Sequence, residues 1–367
     1  MTKIGFALLS DSNNPIPSTR IACLNLFPLF KKAEVEPIVL FEPVRSTECP
    51  DVGDLVEKAV AAGVAAVVFQ KIYGPSVLAA MRGLRLAGIA SIYCVCDIVD
   101  NEVAATADAT IIVTEYLKSL YRKDLHSRIF VVHDGIEHPE VERVDSPAHS
   151  RVLQAALVTS QELYKLPVFD CPPHGWQVNV IGRFPDAAQH LDRFNMFRWN
   201  LAEQKGVEKR LSFLKSALHH RIKRIAWDPL GVYENLRRSD IGIIPVDTTD
   251  NTLVSTAPDP VWKLKSENRL TLNMAIGLPV IATPIPSYED VIEHGKNGLF
   301  ARSRRDWLDS FSLLRDPDVR NEMGINARLS VLNRFSIELQ AEKFLNVVFA
   351  VTGNSGMQVQ TGLNHQA

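Results

Sequence analysis

Short apolar runs recur along the chain, separated by longer stretches in which apolar side chains return every three or four positions. The runs at 4–9, 37–41, 65–69, 91–96, 109–113 and 129–132 read as strands. Between them the spacing predicts a helix from Ser18, acting as its cap, to about Lys32, and others over 52–62, 76–87 and 115–123. Apolar strands alternating with amphipathic helices imply a parallel sheet covered on both faces. After Asp134-Gly135 the pattern breaks. Residues 136–150 carry two prolines and many charges without a period, as an interdomain linker does. Alternation then resumes, with strands expected at 152–158, 178–181, 224–227, 241–245 and 280–282. Helices are expected at 205–222, 233–238, 303–314, 317–333 and 337–351.

The fold class is therefore α/β, with two Rossmann-like doubly wound domains facing a cleft. The expected divisions are an N-terminal domain over 1–140, a linker over 141–150 and a second domain over 151–335. A C-terminal helix at 336–351 packs back on the first domain, and a disordered tail occupies 352–367. Ligands of such sheets bind beyond the carboxyl ends of the strands, where helix N-termini also point, so a phosphorylated ligand suits this geometry.

Composition narrows the function. In 367 residues, 40 Lys/Arg oppose 42 Asp/Glu for a net charge of −2, which lacks the basic excess of a nucleic-acid binder. The charge is uneven, net −5 over 1–150 and +3 over 151–367, which turns an anionic ligand toward the second half. Five cysteines without a CxxC pair point to a reducing, cytoplasmic setting. No apolar run reaches membrane-spanning length, and the first residues read as a strand, not a leader. Cys94 and Cys96 are read as facing opposite sides of a strand, the adjacent His219 and His220 as surface residues, and His133 and His138 as part of the domain joint. No metal site is expected. No Walker loop, GxGxxG or GxSxG motif occurs.

Three segments carry a resemblance. They are ADATIIVTEYLKSLYRKDLHSRIFVVHDGIEHP (107–139), RIKRIAWDPLGVYENLRRSDIGIIPV (221–246) and KLKSENRLTLNMAIGLPVIATPIPSYEDVIEHGKNGLFA (263–301). In this order, and followed by helices of the family's C-terminal type, they resemble GT-B glycosyltransferases of the family 4 type (glycosyl transferases group 1). The resemblance implies transfer of a sugar from a nucleotide-diphosphate sugar to a hydroxyl of a glycan or glycoconjugate, as in polysaccharide biosynthesis. It implies the donor mainly on the second domain, the acceptor on the first, retention of anomeric configuration, and no metal or cofactor. The chain departs from the family at Leu264 and Leu272, where a spaced glutamate pair is usual, with Glu267 the nearest substitute. It departs also at the first loop, DSNNPIPSTR, and at 159–165, TSQELYK, where an Arg/Lys-Gly element is missing. Two other readings follow from these gaps: a non-catalytic binding subunit, or a sugar-nucleotide 2-epimerase of the same fold.

Individual residues supply candidate chemistry. Ser266 is expected to cap the helix opening at 265–269, where Lys265 and Arg269, with Glu267 and Asn268, would hold a departing diphosphate at the positive end of the helix dipole. Arg183 ends a strand and is read equally as a diphosphate ligand or a surface ion pair. Trp227 and Asp228 end the next strand, where an indole can stack on a base and a carboxylate can accept from its amine; a buried Trp beside a loop Asp is the alternative. Arg20 is read as binding donor phosphate or an anionic acceptor, or as a helix-surface residue. Asp97 is the candidate proton acceptor for the acceptor hydroxyl, while Asp97 and Asp100 serve equally well as caps of the next turn. The basic helix at 205–224 places Leu211, Leu214, Leu218 and Ile222 on one side, as a helix on a sheet does, with weak adhesion to a membrane surface the lesser reading.

Overall fold

The computed structural model describes residues 1–144, 152–159, 172–185, 189–249, 251–253 and 257–353. Most of the linker expected at 141–150, the TSQELYK segment after Thr159, and the tail from 354 onward lie outside these residues. The chain divides into two compact units: unit 1 is Met1–Glu137 with Asp250–Ser266 and Phe335–Ala367, and unit 2 is His138–Thr249 with Glu267–Arg334.

Unit 1 alternates strands and helices: β1 (Thr2–Ala7), α1 (Pro17–Ala22), α2 (Phe27–Lys32), β2 (Val35–Phe41), α3 (Leu55–Ala62), β3 (Ala66–Gln70), α4 (Pro75–Leu86), β4 (Ala90–Val95), α5 (Asn101–Thr106), β5 (Ala109–Ile112), α6 (Glu115–Ser119) and β6 (Ile129–Val131). The sheet order is β2-β1-β3-β4-β5-β6, parallel throughout. Successive residues feed opposite faces. Val67, Phe69, Tyr93 and Ile112 join one core with Leu55, Met81 and Leu84, while Ala66, Val68, Ile92 and Ile111 join a second with Leu26 and Phe30. The single helix expected from Ser18 to Lys32 is instead two. Pro17 opens α1 with Ile16 before it, Ser18 makes no cap bond, and a 3-10 turn at Leu24–Leu26 separates α1 from α2. Pro28, without an N–H, sits in the first turn of α2, where the missing donor costs nothing.

Unit 2 follows with β7 (Leu153–Val158), β8 (Trp176–Gly182), α7 (His190–Glu203), α8 (Val207–Leu218), β9 (Ile222–Ala226), α9 (Gly231–Arg237), β10 (Ile241–Ile244), α10 (Asn268–Ala275), β11 (Val280–Ala282), α11 (Pro286–Glu289), β12 (Leu299–Phe300), α12 (Arg304–Leu313) and α13 (Pro317–Leu332). Its parallel order, β12-β11-β10-β7-β8-β9, is the doubly wound nucleotide-binding arrangement 3-2-1-4-5-6 read from the opposite edge. Trp176, Phe311 and Trp307 fill one side of its sheet. α14 (Ile337–Thr352) belongs to unit 1: Phe344, Leu345 and Val348 pack in the second core, with the Phe344 and Phe30 rings 5.3 Å apart.

Two boundaries and one helix differ from the sequence expectation. Residues 250–266 belong to unit 1, where Ala257 and Leu264 complete its first core. The start of the linker is anchored in unit 2: the Arg143 amide donates to the Ile276 carbonyl, the Val144 amide to the Arg237 carbonyl, and Arg328 to the Pro139 carbonyl. α7 carries no fully buried side chain, so no core-facing stripe announced it in the sequence.

Candidate functional site

In unit 2 the strand order reverses between β7 and β10, the position at which doubly wound sheets bind ligands beyond their strand ends. α10 opens on that side because it leads from β10 back into the parallel neighbour β11. Its cap position is Glu267, already in helical conformation, and no side chain caps the helix. Ser266 is therefore not the cap; its hydroxyl donates instead to Asp134 Oδ2 at 3.1 Å within unit 1. The expected five-residue cradle divides at this point. Half-buried Lys265 and Ser266 belong to unit 1, whereas Glu267, Asn268 and Arg269 belong to unit 2.

The first-turn amides of Asn268 and Arg269 have no partner among the described residues, as at any uncapped helix start, where the dipole is positive. Arg269 lies beside the buried Tyr288 phenol. Burial raises the phenol pKa, and the guanidinium charge opposes the rise. Glu267 is buried. Leu264 is a core residue of unit 1 and Leu272 packs on the α9 side of unit 2, so apolar contacts hold both side chains.

Arg183 follows β8, exposed and without an ion pair among the described residues. The Trp227 amide donates to the Gly182 carbonyl at 2.9 Å, and its indole is 38 % exposed, not buried. Asp228 turns onto the start of α9, accepting from the Leu230 and Gly231 amides at 3.2 and 2.6 Å. Gly231 permits this turn, since a Cβ there would lie 2.1 Å from Asp228 Oδ2.

Unit 1 separates the two candidate aspartates. Asp100 caps α5, accepting from the Glu102 and Val103 amides at 3.0 Å each. Asp97 pairs instead with Lys71, 3.0 Å from Nζ, and Glu48 lies 3.3 Å from the same nitrogen. Burial works against the Lys71 charge, but Cys96, Asp97 and Glu48 outweigh it and hold the pKa above the ordinary lysine value. Tyr73 donates to Glu48 at 3.1 Å; burial and the Glu48 charge push its phenol up to about 12. Lys71 has φ +55°, a left-handed conformation that side chains other than glycine seldom adopt. Sequence reading missed Lys71 because a lysine after an apolar strand looks like a solvated end.

Arg20 is committed to Glu137, which also accepts from Asn25 at 2.7 Å. The switch point between β1 and β3 is tied by side chains: Gln70 Oε1 accepts from Thr19 Oγ1 at 2.9 Å and from the Leu9 amide at 3.2 Å, and Ser10 donates to Thr19 at 3.0 Å. Beside it, a cavity of about 20 Å³ is lined by Gln70, Cys94, Cys96, His133, Asp134 and Gly135. Cys94 and Cys96 line the same cavity, correcting their expected opposition, since residues two apart on a strand share a face. Among the described residues no group of three His, Cys, Asp or Glu is placed to hold a metal ion, and no helix is long and apolar enough to cross a membrane.

No family model matches the chain, and neither does any curated protein. Solved structures do. A glycosyltransferase from Rickettsia africae is 13% identical with a TM-score of 0.70, over 96% of this chain and 99% of that one. Sucrose-phosphate synthase from Thermosynechococcus elongatus is 13% identical with a TM-score of 0.66, over 95% and 100%. Anabaena HepE, solved with UDP and glucose, is 14% identical with a TM-score of 0.64, over 95% and 100%. The chain shares with these proteins the fold of GT-B glycosyltransferases, two parallel α/β units in series.

Proposed function

We propose that the chain is a glycosyltransferase of the family 4 type, moving a sugar from a nucleotide-diphosphate sugar to a hydroxyl of a glycan or glycoconjugate with retention and without a metal. The observation that carries this reading is the uncapped start of α10, whose open amides and Arg269 stand at the ligand-binding end of a doubly wound sheet. In this reading the amides of Asn268 and Arg269, with Arg183, hold the diphosphate, and Trp227 stacks on the base. The positive charge stabilises the leaving group as its bond to the sugar breaks. In unit 1, Asp97 accepts the acceptor proton, and Lys71, itself paired with Glu48, holds its carboxylate. HepE was solved with UDP-glucose, which supports a uridine nucleotide as the first donor to try.

Melting temperature with UDP, GDP, ADP and dTDP tests the donor half, because binding to the folded state raises it by mass action. A rise with one nucleotide, followed by transfer from its sugar conjugate to an acceptor, is the expected result. Absence of a rise with all four rejects the reading. A second reading, a binding subunit without transfer, is favoured by the packed Leu264 and Leu272. It predicts nucleotide binding with neither transfer nor hydrolysis across a donor panel.

A further inference from the structure

Unit 2 presents two apolar helix faces that the proposed sugar transfer does not use. On α7, Met196 and Phe197 turn inward, with the Phe197 and Phe213 rings 5.6 Å apart, while Leu191, Phe194 and Trp199 are 77 %, 57 % and 70 % exposed. Positions 191, 194, 198 and 199 share one side of a helix, so these side chains form one outward face. On α8, Val207, Leu211 and Leu218 are likewise exposed on one face, contrary to the expectation that Leu211 and Leu218 lie on the sheet; Phe213 and Ser216 are the buried residues. Solvent-facing helices rarely concentrate so many large apolar side chains.

Charge identifies the occupant. Residues 189–224 hold nine Lys/Arg against three Asp/Glu, a net of +6 in a chain of net −2. Arg198, Lys205, Lys209, Lys215 and Lys223 are exposed and make no ion pair among the described residues. The Trp199 indole N–H donates to Glu203 at 2.7 Å, which satisfies its polar edge and leaves the ring as the outer surface.

We propose that α7 and α8 dock on a bilayer containing anionic lipid, the apolar side chains entering the headgroup boundary and the lysines meeting acidic headgroups. A second copy of the chain suits the surface less well, because each copy would bring the same positive charge to the contact.

Cosedimentation of the full chain with vesicles of phosphatidylcholine alone, or mixed with phosphatidylglycerol, tests this. Binding to the mixed vesicles only, weakened by salt, is expected. The double variants Phe194→Ser/Trp199→Ser and Arg198→Glu/Lys215→Glu should each lower it about tenfold or more. All four positions are exposed, so an unchanged melting temperature verifies folding; if a variant fails to fold, the wild-type lipid and salt dependence still decides. No binding to either vesicle, equal binding to both, or binding indifferent to the variants in folded protein would overturn the proposal. So would a wild-type dimer in light scattering that Phe194→Ser/Trp199→Ser converts to monomer, since the surface would then serve self-association.

Discussion

Arg269 and Lys71 are both cations at strand or helix ends, yet the structure uses them differently. Arg269 sits in the first turn of an uncapped helix, and in the proposed function its charge is used when the diphosphate binds. A charge-assisted bond of about 1.5–3 kcal/mol implies that Arg269→Ala weakens nucleotide binding about ten- to a hundredfold in titration calorimetry, with the fold unchanged. Lys71 is already paired, and Lys71→Met should cost about 1–2 kcal/mol in urea unfolding at neutral pH. Because its folded pKa is raised, that contribution is fully present below the unfolded value of about 10.4 and is lost only as pH rises beyond it. The difference between wild type and variant should therefore be constant from about pH 7 to pH 10. Arg269 stands out in the sequence because it opens a helix beside Lys265 within the segment that carries the resemblance. Lys71 does not, because its pairing depends on Glu48 and Asp97, 23 and 26 positions away.

At the scale of elements, strand positions and the bounds of α4, α12, α13 and α14 were read well, and the start of α10 poorly. Strand apolarity is local, whereas Ser266 was lost as a cap to a buried aspartate 132 positions earlier. The same long-range logic governs the approach of α13 to the end of α10. A Cβ on Gly324 would lie 2.3 Å from the Gly277 carbonyl, so Gly324→Ala should destabilise unit 2 by about 1–3 kcal/mol in denaturant titration. In unit 1, Tyr116 on α6 donates to Asp259 at 2.6 Å, and Lys263 lies 2.8 Å from the other carboxylate oxygen, fastening residues 257–266. Lys263 first, then Tyr116, holds the Asp259 pKa below the usual carboxylate value. Its contribution is present above about pH 3.9 and lost as pH falls through the lower folded value. Tyr116→Phe should lower the melting temperature at neutral pH and shrink the loss between about pH 4 and 2.

For the molecule as a whole, two α/β units were legible from alternation alone, since each strand and its helix carry their own period. The assignment of 250–266 to unit 1 was not, because Ala257 and Leu264 find their partners only in three dimensions. α14 has a matching consequence. Removing residues 335–367 uncovers Phe30, Val68 and Ile92, so the shortened chain should lose cooperative unfolding of unit 1 while unit 2 keeps its own transition in calorimetry.

Unit 1 opens with β1 but is sealed by Phe344 and Val348 of α14, which follows unit 2 in the chain. A ribosome therefore emits the raw sheet of this unit long before the helix that closes it. Throughout that interval the Phe30 side of the sheet is a natural client for a holdase, and the half born first is the half that matures last.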